Sequence, residues 1–451
     1  MNYLGLLWKL FLMKNNLKKP ADKIQSLQSK NLRKILNYAY DNSEYYHRTF
    51  TQKGITKANI DSAPLSAFPT TDKSVLIEHF DEIITAKDIS QKDLRRFDAE
   101  ETIDKKKLKG KYHVVHSSGS TAEPGYFLYD DDAWQSMLIG IIRAALWNMS
   151  MKDILKFLKG RPHIAYIAAT DGRYGGAMAV GDGIDGVGAK QLFLDIKTSL
   201  SEWIEKINDF KPDMIVGYPS AIKILGELAE KSAVDIDVMR IVSCGEPLGN
   251  TMRRYLERVF KTEVFNFYGA SESLALGIED GRLDGMYLFD DLNYIEVENG
   301  AMYLTSLYNF VQPLIRYKIS DRLILTPPLK NNRFPFTTAR GLVGRNEDLM
   351  WFDDLNGGRE FVHPLAVEGF CVEGVVDYQF CQTSASSFEM IIEPTDGADK
   401  DRIKAEMLRN MEQILADKKL THVRFYVRFV NKIEADKNTG KKSLIRKENV
   451  I

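Results

Sequence analysis

From residue 201 to residue 270 two periodicities take turns. "SEWIEKINDF", "SAIKILGELAEK" and "NTMRRYLERVF" space their apolar residues three and four apart, as a helix with one buried face does. "PDMIVGYP", "DVMRIVSCG" and "TEVFNFYG" are instead short, unbroken apolar runs that close on glycine. A strand that is apolar on both sides has to be covered on both sides, and the intervening helices supply that cover. The alternation predicts an α/β fold built on parallel βαβ units. Ligands of such sheets bind beyond the carboxyl ends of the strands. Here those ends are "GYPS" (217–220), "CGEP" (244–247) and "YGASES" (268–273).

The chain has 451 residues, more than one ordinary core accommodates, so further domains are expected. After Asp290 the pattern shifts to period two on either side of Asn299-Gly300, a hairpin signal. "PLIRYKISDRLILT" continues as strand, corner, strand, and the whole reads as a β subdomain attached to the parallel sheet. A small α+β unit begins near Gly344. It has a turn in "FDDLNGGRE", a helix from about Pro364, strands in "VVDYQF" and "SFEMIIEP", the amphipathic helix "DKDRIKAEMLRNMEQILADK" and the strand "VRFYVRFV". The expected division is a large domain over 1–345 and a small one over 346–451.

Composition excludes some functions. Lys and Arg total 61 against 62 Asp and Glu, a balance that gives no support to nucleic-acid binding. Cys244, Cys371 and Cys381 form no CxxC pair and read as the reduced thiols of a cytoplasmic protein. The apolar run Leu4–Met13 is broken by Lys9, is too short to span a bilayer, and leads into no small-residue cleavage site. It reads as a helix docked on the protein's own surface. Peripheral membrane contact through residues 4–13 is the second reading, because Trp8 and the neighbouring lysines suit an interface.

The stretch "HSSGSTAEPG" (116–125) has neither helix nor strand pattern. A loop so short of bulk lets backbone N–H groups and hydroxyls close around a phosphate. The plainer reading is a solvent loop. It is not a Walker loop, since no Gly-Lys-Ser/Thr follows. Lysines at 105, 106, 107, 109 and 111 precede it; such a run reads as a solvated face, with a raised positive potential for an anion as the second reading.

Five stretches in order, "SSGSTAEP" (117–124), "YGASE" (268–272), "LIRYKISD" (314–321), "GRNED" (344–348) and "NTGKK" (438–442), resemble the successive core motifs of the adenylate-forming enzymes. "NLRKILNYAYDNSEYYHRTF", "FPTTDKSVLIEHFDEI", "KPDMIVGYPSAIKIL" and "HPLAVE" are similar to the phenylacetate–CoA ligase branch and its capsule-cluster relatives. The resemblance runs from about residue 28 to the end. It implies a carboxylic acid activated by ATP as an acyl-adenylate and then passed to a thiol, coenzyme A first among the candidates. It leaves open an amine, a hydroxyl or a carrier-protein acceptor, and also a homologue that binds nucleotide without catalysis.

The resemblance also implies roles. Ser117, Ser118, Gly119, Ser120 and Thr121 would wrap the β- and γ-phosphates, although Ala122 stands where Gly is usual and Gly125 where Lys is frequent. Gly245, Glu246 and Pro247 would form the adenine-side loop, with Tyr268 on the ring and Gly269 allowing close approach. Ser271 would reach the α-phosphate, Glu272 would hold Mg²⁺, a cation that prefers oxygen, and Asp321 would accept from the ribose hydroxyls. Ser320 replaces the usual Gly before that Asp. Arg345 would contact ribose or α-phosphate, and Glu347 would be the hinge between the domains. Lys441 would meet the charge that develops during adenylation. Arg316 reads as a structural, paired arginine. Tyr174, Gly175, Gly217 and Tyr218 are the expected acyl-pocket residues, with Arg173 nearby. The branch often carries Cys and His after the "YGASE" position. Neither occurs in "SLALGIEDGRLDGMYLFDD", so no structural zinc is expected.

Overall fold

The computed structural model describes residues 3–99, 107–116, 125–170, 175–283, 285–298, 301–319, 321, 323–328, 332–340, 349–355, 357–367, 370, 372–434 and 444–447. An N-terminal helical layer comes first: α1 (Tyr3–Asn16), α2 (Ala21–Asn42), α3 (Glu44–Gln52), α4 (Lys73–Glu78), α5 (Phe80–Ile83) and α6 (Gln91–Asp98). Side-chain caps fix its entries. Ser43 Oγ accepts from the Tyr46 amide, Asp72 accepts from the Val75 amide, and Ser90 with Asp93 forms a capping box. Leu6 and Leu10 of α1 are buried in the core, while Trp8, Phe11 and Leu12 stay exposed. The N-terminal run is thus a docked helix. Among the described residues no helix is long and apolar enough to cross a membrane.

The hairpin β1 (His113–His116) and β2 (Tyr126–Tyr129) flanks the glycine-serine stretch. There follow α7 (Asp131–Ala145), α8 (Met151–Lys159), β3 (His163–Ala168), α9 (Gly175–Gly186), β4 (Lys190–Asp195), α10 (Leu200–Phe210), β5 (Met214–Gly217), α11 (Pro219–Glu230), β6 (Arg240–Cys244), α12 (Asn250–Phe260), β7 (Val264–Ala270), β8 (Ser273–Glu279) and β9 (Met286–Leu288). Helix α9, "GGAMAVGDGIDG", carries five glycines. Each lowers helix stability by about 1 kcal/mol relative to alanine, so tertiary contacts must hold it. One of them is the Trp134 indole N–H of α7, which donates to Asp182 at 2.9 Å.

The chain continues with β10 (Asn293–Glu298), β11 (Ala301–Ser306), β12 (Tyr317–Ile319), β13 (Ile324–Thr326), β14 (Thr338–Arg340), β15 (Met350–Asp353), β16 (Arg359–Val362), α13 (Pro364–Val367), β17 (Val375–Ser384), β18 (Ser387–Pro394), α14 (Lys400–Asp417), β19 (Arg424–Phe429) and β20 (Ile445–Lys447). The dominant sheet has nine strands in the order β13-β14-β9-β8-β7-β6-β5-β3-β4. Its β4-β3-β5-β6-β7 half is parallel, as the alternation predicts, and the β7-β8-β9-β14-β13 half is antiparallel. The expected hairpin forms between β10 and β11, with β12 beside it. The "PLIRYKISDRLILT" run, however, does not stay in one subdomain. Its first strand, β12, joins that small sheet, and its second, β13, closes the edge of the large one.

Strands β19-β18-β17-β20 form the C-terminal sheet, covered by α14. The hairpin β15–β16 faces two ways, as period-two side chains allow. Phe352 and Val362 enter the C-terminal core, whereas Phe361 and Trp351 pack on the large sheet's core.

Candidate active site at the strand exits

The three glycine-ended strands β5, β6 and β7 lie side by side and stop together, so their exits share one edge. Gly217 and Gly269 are needed there by the sheet itself. A Cβ on Gly217 would lie 2.2 Å from the Ile167 carbonyl oxygen, and one on Gly269 would lie 2.6 Å from that of Leu274. Gly269 permits the close approach of β8. Gly245 has φ +80°, and the edge of the Tyr218 ring lies against it where a Cβ would sit at 2.5 Å. Only glycine takes this conformation freely and leaves that room.

Beside this edge, Tyr268 is 5% exposed and its hydroxyl donates to Asp321 at 2.7 Å. The two residues meant for the nucleoside are therefore brought together across 53 positions of sequence. Burial raises the Tyr268 hydroxyl pKa well above the ordinary value, and the charge of Asp321 adds to this.

Glu272 is partly buried. Burial pushes its carboxyl up to about 7, with Asp321 adding to the rise while its own amide and Lys73 oppose it. Lys73 opens α4 and was not singled out by its sequence. It is carried to Glu272 because Thr71 pairs with β12: the Thr71 amide donates to the Arg316 carbonyl at 3.1 Å, and the Lys318 amide donates to the Thr71 carbonyl at 2.8 Å. Arg316 is structural, as expected. It is 3% exposed, with its guanidinium on Glu296, Glu298 and the Ser66 and Phe68 carbonyls.

On the other flank, Glu246 binds the fully buried His363 at 2.7 Å and accepts from the Ser220 amide at 3.1 Å. Burial alone would raise the Glu246 pKa, but the charge and hydrogen bond of His363, with Ser220, bring it below its ordinary value. Ser220 Oγ lies 3.0 Å from His363 Nε2, and the Tyr218 and His363 rings stack at 5.1 Å. Serine and carboxylate use the same ring nitrogen, so the trio is not a nucleophile relay, which requires the acid on Nδ1. Sequence reading missed His363 and Ser220. "HPLAVE" and "GYPS" mark their positions but not their meeting.

A cavity of about 290 Å³ opens beside these exits, lined at that end by Tyr218, Gly245, Ala270 and Ser271. Tyr218, expected in the acyl pocket, lines this cavity. Gly217 does not line the cavity, because its free face is turned to Ile167. Gly175 begins α9, next to the lining residue Gly176. The expectations for Ser117, Ser118, Gly119, Ser120, Thr121, Tyr174, Arg345, Glu347 and Lys441 fall outside the described residues.

No family model matches the chain. It is 26% identical over 359 residues to a phenylacetate–coenzyme A ligase of Escherichia coli (strain K12), covering 74% of each chain. It is 22% identical over 436 residues to protein CapK of Staphylococcus aureus, covering 90% of this chain and 86% of that one. A solved 2-hydroxyisobutyryl-CoA ligase, in complex with 2-HIB-AMP and CoA, superimposes with TM-score 0.60 at 18% identity, over 96% of this chain and 91% of the other. The fold is that of the adenylate-forming ligases. Relatives that cover about three quarters or more of the chain include phenylacetate–coenzyme A ligases and protein CapK, at 22–26% identity.

Proposed function

We propose that the chain is an ATP-dependent acid ligase that makes an acyl-adenylate and passes the acyl group to coenzyme A. One observation carries the reading. A Tyr268–Asp321 pair suited to a nucleoside and a carboxylate raised to about 7 stand at one strand edge, beside a mostly apolar cavity. In the first step a carboxylate oxygen bonds to the α-phosphorus of ATP and pyrophosphate leaves. In the second, the thiolate bonds to the acyl carbon and AMP leaves.

The described residues hold no group of three or more carboxylates, histidines or cysteines that could cage a metal. Mg²⁺ needs no such cage, since it is held by one or two carboxylates plus phosphate oxygens. Glu272, whose ionised form is disfavoured without a cation, fits that part. The ion would supply charge neutralisation on the phosphates. Ser117–Thr121 would carry the β- and γ-phosphates, Ser271 and Arg345 the α-phosphate side, and Gly245–Pro247 the adenine side. Domain 346–451 would pivot at Glu347 to deliver Lys441. The reducing cytoplasm suits the free thiols Cys244 and Cys381.

The test is ATP–pyrophosphate exchange across a panel of carboxylic acids, followed by thioester formation on addition of CoA. Exchange that depends on one acid class is expected. Its absence across aryl, short-chain and long-chain acids, with Mg-ATP saturating, would refute the reading.

A further inference from the structure

The cavity reaches well past the strand exits. It follows β5 from Tyr218 back to Met214, about 13 Å at the usual strand rise. It follows α9 from Gly176 to Ile184, about 12 Å of helix, and reaches Val187 just beyond it. Phe157 and Leu158 of α8 line its far end. No charged side chain is among its lining residues. Protein interiors are close-packed, with few voids larger than a water molecule, so an apolar channel of this length calls for an occupant. Helix α9 clears the space. Gly176, Ala179 and Gly183 face it, and a Cβ on Gly183 would meet only Ile142, at 3.7 Å. A compact ring-bearing acid with its carboxylate at Ser271 fills the mouth and leaves the α8 end empty. A linear chain fills both.

A second observation comes from the wall. Tyr166 is 2% exposed and lines the channel part-way along β3, and its hydroxyl has no hydrogen-bond partner among the described residues. A hydroxyl facing an apolar channel without a protein partner discriminates in favour of a ligand that pairs it.

Resting on the adenylation reading above, we infer that the acid is a linear aliphatic one, long enough to run from the strand exits to α8, with an oxygen substituent that hydrogen-bonds to Tyr166. The channel measures chain length, and the tyrosine reads the oxygen.

Calorimetric binding of acids to the full chain tests this without requiring turnover. The probes are decanoate, its 3-, 5- and 7-hydroxy derivatives, and phenylacetate, each with Mg-ATP present. Decanoate is expected to bind at least about tenfold tighter than phenylacetate, and one hydroxy isomer tighter still. Tyr166→Phe should erase the hydroxy isomer's advantage while leaving decanoate binding in place. Gly183→Leu should abolish binding of both chains. Ala179→Leu, on the same helix face, repeats that test should the first variant fail to fold by its melting curve. Equal or tighter phenylacetate binding, chain binding that survives both filled channels, or no binding of any probe overturns the inference. Pyrophosphate exchange on the same samples separates the two claims. Exchange with phenylacetate alone keeps the ligase and removes the channel's role. Chain binding without exchange does the reverse.

Discussion

Glu272 shows what one side chain at a strand exit contributes. Its folded pKa, about 7, stands above the ordinary 4.5, first because of burial. A raised folded value means that the group's favourable contribution is complete below about pH 4.5 and is lost as pH rises to about 7. Above that the folded protein holds an ionised carboxylate at a cost of order 1–3 kcal/mol. Glu272→Gln removes the titration. In chelator, the melting temperature of the wild type should therefore fall relative to the variant between pH 5 and pH 8. Adding Mg-ATP should restore the wild type and do little for the variant, since binding to the native state alone raises stability. A difference between the two proteins that is flat across this range, with or without Mg-ATP, would remove Glu272 from the metal's side. Sequence singled out Glu272, Tyr268 and Asp321 because motif order carries them. It could not place Lys73, which depends on Thr71 pairing with a strand about 245 residues later.

At the scale of elements, the α11 entry, the β6 exit and the segment after β16 meet through Ser220, Glu246 and His363. Each local pattern was legible: a glycine-ended strand, a proline-opened helix, and a His-Pro before a short helix. Their junction was not, because periodicity fixes which face a residue occupies but not which distant element covers it. The same limit hid the split of β12 from β13, since an edge strand is claimed by whichever sheet offers unpaired backbone. The clasp makes a prediction. His363→Ala removes a charge-assisted bond of about 1.5 kcal/mol, so amide exchange at 218–222 and 245–248 should accelerate about tenfold. Glu246 titrates below its ordinary 4.5. Its contribution is therefore present above about pH 4.5 and is lost as pH falls through the lower folded value. Acidification should loosen these amides in the wild type and change the variant less. Unaltered exchange in His363→Ala would show that the clasp holds nothing.

Across the whole molecule, the C-terminal unit has its own core yet sits on the large sheet through specific contacts. Phe361 meets Trp203 with ring centroids 5.5 Å apart, the buried Lys418 ammonium donates to the Thr198 carbonyl at 2.8 Å, and the Leu200 amide donates to Glu360 at 2.7 Å. In the proposed reaction the two half-reactions would use different groups at one reacting centre: Lys441 while negative charge builds on the α-phosphate, then the "FDDLNGGRE" segment at the acceptor. A pivot at Glu347 can supply both only by breaking those contacts and forming others, which is a domain closure of ordinary kind. Lys441→Ala should then abolish most acyl-adenylate formation and largely spare transfer from supplied acyl-AMP. Lys441→Arg should fail with it, because a rigid fork does not replace a compact ammonium. With Glu347 as the proposed hinge, Glu347→Pro would fix its φ, so it should leave adenylation measurable and slow transfer. Pyrophosphate exchange reads the first half-reaction and single-turnover consumption of acyl-AMP reads the second. Equal depression of both by both variants would mean that one orientation serves the whole reaction, and that the contacts at Thr198, Leu200 and Trp203 persist through the cycle.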